Sequence, residues 1–206
     1  MSLASFLIGG LAWSAGEYAI HRFVGHGPKR QVSPTRLGKF TLKGIAAEFN
    51  SEHLAHHADP RYFAPTSRKL RAAAIGVPLL GALAAPFFGV RRSTHFALGF
   101  GLVYGGYEVI HRHIHTRPPG GRYGAWVRHH HLLHHHKTPR HNHGVTSPLW
   151  DIVCSSYTPI EVVRIPRHAA PSWLLDEQGE VQPQYRAQYE LVGKREQTVT
   201  PKTAST

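Results

Sequence analysis

Apolar residues concentrate in three runs. Residues 3–20 (LASFLIGGLAWSAGEYAI) carry one charge, Glu17; residues 72–90 (AAAIGVPLLGALAAPFFGV) carry none; residues 94–110 (THFALGFGLVYGGYEVI) carry Glu108 near the end. A helix needs roughly 20 mainly apolar residues to cross a bilayer. Each run is just long enough, so the pattern predicts membrane helices. Gly and Pro inside these runs suit that setting better than a soluble helix interior. The alternative is a set of buried helices in a soluble core. The first run has no Lys or Arg before Arg22, so it lacks the basic start of a signal peptide and reads as an uncleaved anchor.

The polar segments between the runs are basic. Arg22, Lys29, Arg30, Arg36, Lys39 and Lys43 follow the first run, and Arg61, Arg68, Lys69 and Arg71 precede the second. Arg112, Arg117, Arg122, Arg128, Lys137 and Arg140 follow the third, while only Arg91 and Arg92 stand between the second and third. The positive-inside rule then places both long polar segments in the cytoplasm. Three crossings satisfy this; the second and third runs also fit a short hairpin about the Arg91–Arg92 tip. Prolines such as Pro60, Pro65, Pro118, Pro119, Pro139 and Pro148 bound short elements outside the runs. By composition the chain divides into a membrane-embedded domain, 1–160, and a C-terminal extension, 161–206, polar and frayed near its end.

Across 206 residues, Lys plus Arg is 24 and Asp plus Glu is 12, a formal charge of +12. Charge alone admits nucleic acid or a membrane face as partner. No nucleic-acid motif or aromatic interleaving accompanies it, and helix-flanking cations are explained by topology and anionic lipid headgroups. The single cysteine excludes an internal disulfide, a CxxC zinc site and a cysteine-ligated iron–sulfur cluster.

Histidine changes the picture, because its 18 residues outnumber all the acids. Four clusters have ligand-like spacing: His21 and His26; His53, His56 and His57; His111 and His115; His131, His134 and His135. At about 100° per residue, each HxxHH triplet falls within an arc of about 100° on a helix. His111 and His115 share a face, with His113 nearly opposite. His21 and His26, five apart, miss each other by about 140° on a regular helix, so either the helix ends near Gly25 or the two rings approach from different directions. Imidazole ligates zinc, copper, iron and nickel, and ten phased histidines suffice for two ions. The alternative is a metal-buffering loop. Glu17, four residues before His21, and Glu108, three before His111, are placed to accept the outward N–H of a ligand imidazole, with Glu52, Asp59 and Asp151 weaker candidates. His113, His129, His136, His141, His143 and His168 read as solvated or supporting.

In this order the clusters resemble the HX4H, HX2HH, HX3H, HX2HH pattern of the fatty acid hydroxylase / sterol desaturase superfamily. His21-Arg22-Phe23, Tyr107-Glu108 before the third motif, and Asn142-His-Gly-Val-Thr-Ser-Pro-Leu-Trp-Asp151 after the last add to the likeness, which covers roughly 15–155. The resemblance implies an all-α fold: membrane helices capped by a cytosolic helical domain in which His21, His26, His53, His56, His57, His111, His115, His131, His134 and His135 hold two irons. Zinc could substitute for iron on purification.

It further implies an O2-dependent hydroxylase of an unactivated C–H bond in a lipid within the bilayer, most simply a fatty-acyl chain. A carotenoid or sterol hydroxylase or desaturase is the second reading and a non-enzymatic membrane metal-binding protein a third. Residues 72–90 hold no ionisable group, which counts against an ion path. No His-Pro-Gly-Gly heme motif is present, so electrons come from a separate electron-transfer protein. Phe87, Phe88, Phe96, Phe100, Tyr104 and Trp126 are candidate walls for an alkyl substrate.

Overall fold

The computed structural model describes residues 2–159 and 161–193. The polar stretch 194–206, expected to fray, lies outside the described residues. Helix α1 (Leu3–Ala19) is capped by the Ser2 hydroxyl and runs directly into a π-helical turn, Ile20–Gly25. A short α2 (Arg36–Lys39) precedes α3 (Leu42–Ala58), which Thr41 caps by accepting the Gly44 N–H. Pro65 introduces α4 (Thr66–Phe88), and α5 (Val90–Thr116) follows with Gly89 alone between them. Gly89 has φ +77°, a conformation costly for a residue with a Cβ. The two helices therefore form the expected hairpin, with Arg91 and Arg92 beginning its second arm. Helices α6 (Gly121–His136) and α7 (Leu149–Val153) complete the helical part.

Helix α5 is the central member, packed against both α1 and α4. The α1–α5 contact is backbone-close and reciprocal. A Cβ on Gly9 would stand 2.0 Å from the Phe96 carbonyl oxygen, and one on Gly99 would stand 1.9 Å from that of Phe6. Small residues permit such approach where no hydrophobic force drives helices together. Trp13 of α1 packs edge-on against Phe100 and Tyr104. The outward sides remain apolar and exposed, with Leu3, Leu7 and Ile8 on α1 and Ile75, Leu79, Leu83 and Phe87 on α4. Two helical stretches, Leu3–Gly25 and Thr66–Phe88, are long and apolar enough to cross a membrane. The third run lies within α5 and does not meet that test.

The fold is mostly helical as expected, and the structure adds a small parallel sheet. Strand β1 (Val163–Pro166) pairs with β2 (Tyr189–Val192) in the register Val163 with Tyr189 and Ile165 with Leu191. Val163 and Ile165 point inward while Arg164 faces out, the period-2 alternation of a half-buried strand. Residues 161–193 are thus not merely polar. Val163, Ile165, Trp173, Leu174, Val181 and Tyr189 form one apolar core with Leu132 and Leu133 of α6. The Trp173 indole N–H donates to the Ile114 carbonyl at 2.9 Å, tying this unit to α5.

Gly99→Ala is expected to cost about 1–3 kcal/mol through overpacking, whereas Gly105→Ala, with nothing near its Cβ, is neutral. Thermal melts of the two variants in detergent check this; equal behaviour contradicts the close α1–α5 contact.

Candidate metal centre

Four helical segments bring ten histidines together. The HX4H pair comes from the π turn after α1. There the His26 N–H bonds the His21 carbonyl five residues back, at 3.0 Å, and the wider turn puts both rings on one side, their centroids 5.2 Å apart. The 140° mismatch of a regular helix disappears because the helix widens into a π turn and then ends at Gly25, the end the sequence allowed, with His26 as its cap residue. Such π turns are rare and concentrate at functional sites. Buried Asn50 of α3 satisfies the loosened end, donating to the Val24 and Gly25 carbonyls. His53, His56 and His57 come from the last turns of α3, His111 and His115 from the end of α5, and His131, His134 and His135 from α6.

The ten sort into two groups of five. His21, His26, His53, His57 and His134 form one; His56, His111, His115, His131 and His135 form the other. Within each, one ligand atom per ring lies within 4.8 Å of all the others. Each HxxHH triplet divides between the groups: its i and i+4 rings serve one, its i+3 ring the other. The two triplets divide in opposite senses, so α3 and α6 each reach into both clusters. His57 and His135 stack face to face between them, centroids 4.0 Å apart.

The spacing fits nitrogen ligands around an ion. His26 Nε2 stands 2.9 Å from both His53 Nε2 and His134 Nε2. His56 Nε2 is 3.1 Å from His111 Nε2, and His131 Nε2 is 3.1 Å from His115 Nε2. Two ligands at right angles, each about 2.1 Å from a metal, would stand about 3.0 Å apart. The Nε2 atoms of His21, His57 and His135 are buried without a hydrogen-bond partner, a cost a fold rarely carries without an ion or water to offset it. The ring Nδ1–H groups of His21, His56 and His134 donate to the carbonyls of His143, Tyr62 and His141 at 2.5, 2.8 and 2.7 Å. A carbonyl only accepts, so these rings carry the proton on Nδ1 and turn an Nε2 lone pair inward. Burial holds His26 and His56 down to about pKa 4 and, with mutual repulsion, keeps His53, His57, His131, His134 and His135 below the ordinary imidazole value. Neutral imidazole is the ligating form. The donor set, all imidazole without thiolate, suits iron, zinc, copper or nickel.

The acids take other places than the spacing suggests. Glu17 does not touch the His21 ring. Its carboxylate accepts the Val145 N–H at 2.6 Å and the Thr146 hydroxyl at 3.3 Å, and the loop it holds supplies the carbonyl that His21 uses instead. Glu108 pairs with Lys69 of α4 at 2.5 Å, not with an imidazole, because a cation on the neighbouring helix is within reach. Glu52 pairs with Arg68 and Asp59 with Arg61. Asp151, a weaker candidate by sequence, is fully buried and holds the 142–145 loop. Burial alone would raise its pKa. The facing imidazoles of His130 and His143, the Gly144 N–H and the Ser156 hydroxyl outweigh this and hold it below the usual carboxylate range. His143 is buried against the rings of His21, His26 and His134, the supporting place of the two that the sequence left open. His130, also buried, stacks on Trp126 and was not singled out. His113 and His129 lie outside both groups, and the His129 ring N–H donates to the Glu161 carbonyl.

A cavity of about 540 Å3 lies against the clusters. His21, His53, His56 and His111 form one wall; Ile20, Val24, Phe49, Phe63, Val77 and Phe100 contribute apolar surface, and Tyr104 and Tyr107 complete it. Of the six aromatic residues expected to line an alkyl site, Phe100 and Tyr104 do so. Phe87 and Phe88 are exposed instead, because they end α4 at the far tip of the hairpin. The ion pairs Arg68–Glu52 and Lys69–Glu108 give the cavity a polar patch.

The chain resembles known proteins over most of its length. The fatty acid hydroxylase family model matches residues 6–156. The chain is 27% identical over 154 residues to the dihydroceramide fatty acyl 2-hydroxylase FAH1 of Arabidopsis thaliana, covering 71% of this chain and 57% of that protein. It is similar in fold to a solved structure of full-length Scs7p in which only the hydroxylase domain is visible, with TM-score 0.56, 22% identity, and coverage of 77% of this chain and 58% of that one. The chain therefore spans little more than half the length of these relatives.

Once stripped of metal by chelation, the chain is expected to lose stability as pH falls from 6.5 toward 4. The unfolded chain takes up protons in that window that folded His26 and His56 refuse, so stability present above pH 6.5 drains away below it. A melting temperature constant across the window contradicts the buried, neutral arrangement.

Proposed function

This chain belongs to the fatty acid hydroxylase family, and on that premise we propose that it is a membrane-embedded di-iron enzyme that hydroxylates a fatty-acyl chain. The observation that carries this reading is the pair of five-imidazole clusters opening on a largely apolar cavity. The ten histidines would hold two irons, five imidazoles to each. Bound there, the irons would supply the oxidising power that, with O2, two electrons from a separate electron-transfer protein and two protons, turns a C–H bond into an alcohol and releases one water.

The chain's own residues do the placing. Alkyl chains already partition into the bilayer at about 0.8 kcal/mol per CH2. The cavity between α1, α3, α4 and α5 receives one, and its apolar walls keep water from the reacting carbon. His21, His53, His56 and His111 form the wall the chain lies against, so rings of both clusters border one substrate position. The paired Lys69 and Glu108, with Arg68 and Glu52, offer the polar end of the lipid charged contacts near that wall; among the described residues Glu17 and Glu48 are the other charged side chains lining the cavity. A polar head held close to the clusters favours attack near the head of the chain, the position named for the plant relative.

α5 has 27 residues and is about 40 Å long at 1.5 Å per residue. It exceeds a hydrocarbon core of about 30 Å, so its apolar middle serves as the third crossing while His111 and His115 emerge at one surface. The positive-inside rule makes that surface cytoplasmic. The basic residues around it suit anionic lipid headgroups and an acidic electron donor.

Expression in cells lacking 2-hydroxylated lipids tests the activity. Acyl chains heavier by one oxygen atom are expected with the wild type. They are expected to be absent with His134→Ala, which still sediments with membranes, and present with His113→Ala. Unchanged lipids with the wild type, or oxygen added only to a carotenoid, would overturn the acyl assignment.

A further inference from the structure

We propose that Asp151 is a positioning residue for the first histidine cluster and not for the second, so that the two metal positions can be emptied one at a time. The inference rests on the di-metal reading above.

Asp151 touches no ring of either cluster. Its Oδ1 accepts the His143 N–H at 2.9 Å and the Ser156 hydroxyl at 2.7 Å, and its Oδ2 accepts the Gly144 N–H at 2.7 Å. The same short stretch of backbone offers two carbonyls the other way: that of His143 to His21 Nδ1 and that of His141 to His134 Nδ1. Both of those rings belong to the first cluster. The carboxylate directly holds the 143–144 peptide unit that aims His21; the 141–142 unit that aims His134 is held through Ser156, whose backbone carbonyl accepts the Asn142 N–H at 2.9 Å and whose hydroxyl donates to Asp151. The two ligands come from the π turn and α6, 113 residues apart in sequence (134 less 21).

The rest of the loop is built to transmit that grip. Asn142 sits at φ +57°, with its side-chain amide paired both ways to the Thr158 backbone, at 3.1 and 2.7 Å. A Cβ on Gly144 would lie 2.1 Å from the Ser147 carbonyl oxygen and 3.0 Å from Asp151 Oδ2, so a side chain there would displace the loop. The second cluster is held differently. His56 uses the Tyr62 carbonyl, which belongs to the chain following α3. The Nδ1 atoms of His115, His131 and His135 have no hydrogen-bond partner. Among the described residues Asp151 makes no hydrogen bond to the groups around those rings; on α6 it stands 3.8 Å from His130 Nε2.

Asp151→Asn keeps the size of the side chain but sets an amide NH2 against backbone N–H or hydroxyl donors. Partners that orient ligands typically cost 10–100-fold in metal affinity when altered. Iron(II) binding to the full chain in nanodiscs, read by equilibrium dialysis and elemental mass spectrometry, tests the proposal. Wild type is expected to bind two ions. In Asp151→Asn one ion is expected to bind about 10–100-fold more weakly and the other with wild-type affinity. His134→Ala and His135→Ala identify which cluster each ion occupies.

Two ions at wild-type affinity in Asp151→Asn, or equal weakening of both, would overturn the proposal. A wild type that binds no iron would instead refute the di-metal reading beneath it. Should Asp151→Asn fail to fold, Ser156→Ala removes the hydroxyl on Oδ1, which also meets the Tyr18 hydroxyl at 2.8 Å, and leaves the carboxylate in place. It is expected to weaken the same first-cluster ion several-fold, and equal effects on both ions, or none, would overturn the assignment.

Discussion

Ten imidazoles packed against one another, seven of them buried, cannot all be protonated, and several have ring nitrogens without a hydrogen-bond partner. Two pairs of inward nitrogens in each cluster lie 2.9–3.1 Å apart, and all within a cluster lie inside 4.8 Å of one another. Each proton added there would meet a low-dielectric interior and other cations. A divalent ion resolves the conflict by replacing protons with coordinate bonds. Because α3 and α6 each contribute to both clusters, neither cluster can form without the helix crossing that forms the other. The two sites share one helix crossing, while separate backbone carbonyls aim their rings.

The surrounding fold serves that convergence. α5 is continuous from the apolar hairpin to His111 and His115, so the ligands of one cluster ride on the helix that α1 and α4 pack against. Glycine contacts bring α1 to backbone distance from α5, which sets where the π turn, and with it His21 and His26, must fall. On the far side the 161–193 unit buries Leu132 and Leu133, fixing the face of α6 opposite its histidines. The 141–151 loop closes the ring by linking α6, α7 and α1 through Asp151 and Glu17. Rigid support of this kind is what a site needs when a shift of an ångström changes the outcome of a reaction.

Much of this was legible in the residues. The three apolar runs became α1, α4 and α5, and the four histidine clusters all converge. Their division into two fives was not legible, because helical phase places His53, His56 and His57 on one face without saying that two sites share that face. The HX4H pair was ambiguous because a regular helix was assumed; five-residue spacing fits a π turn, which propensity does not signal. Glu17 and Glu108 were linked to their nearest histidines by sequence distance alone, and tertiary neighbours won: a loop 128 residues away for Glu17, Lys69 for Glu108. The strands were missed because four-residue segments in a polar tail give little periodicity to read. His143 and Asp151 act through backbone carbonyls and amides, whose direction no side-chain pattern encodes.

X-ray absorption at the iron edge of the purified, iron-loaded chain addresses the convergence itself. Two irons per chain, each surrounded by about five imidazole nitrogens at roughly 2.1 Å, is the predicted result. Iron bound by sulfur, by oxygen alone, or by fewer than three imidazoles would contradict a centre built from these two groups of rings.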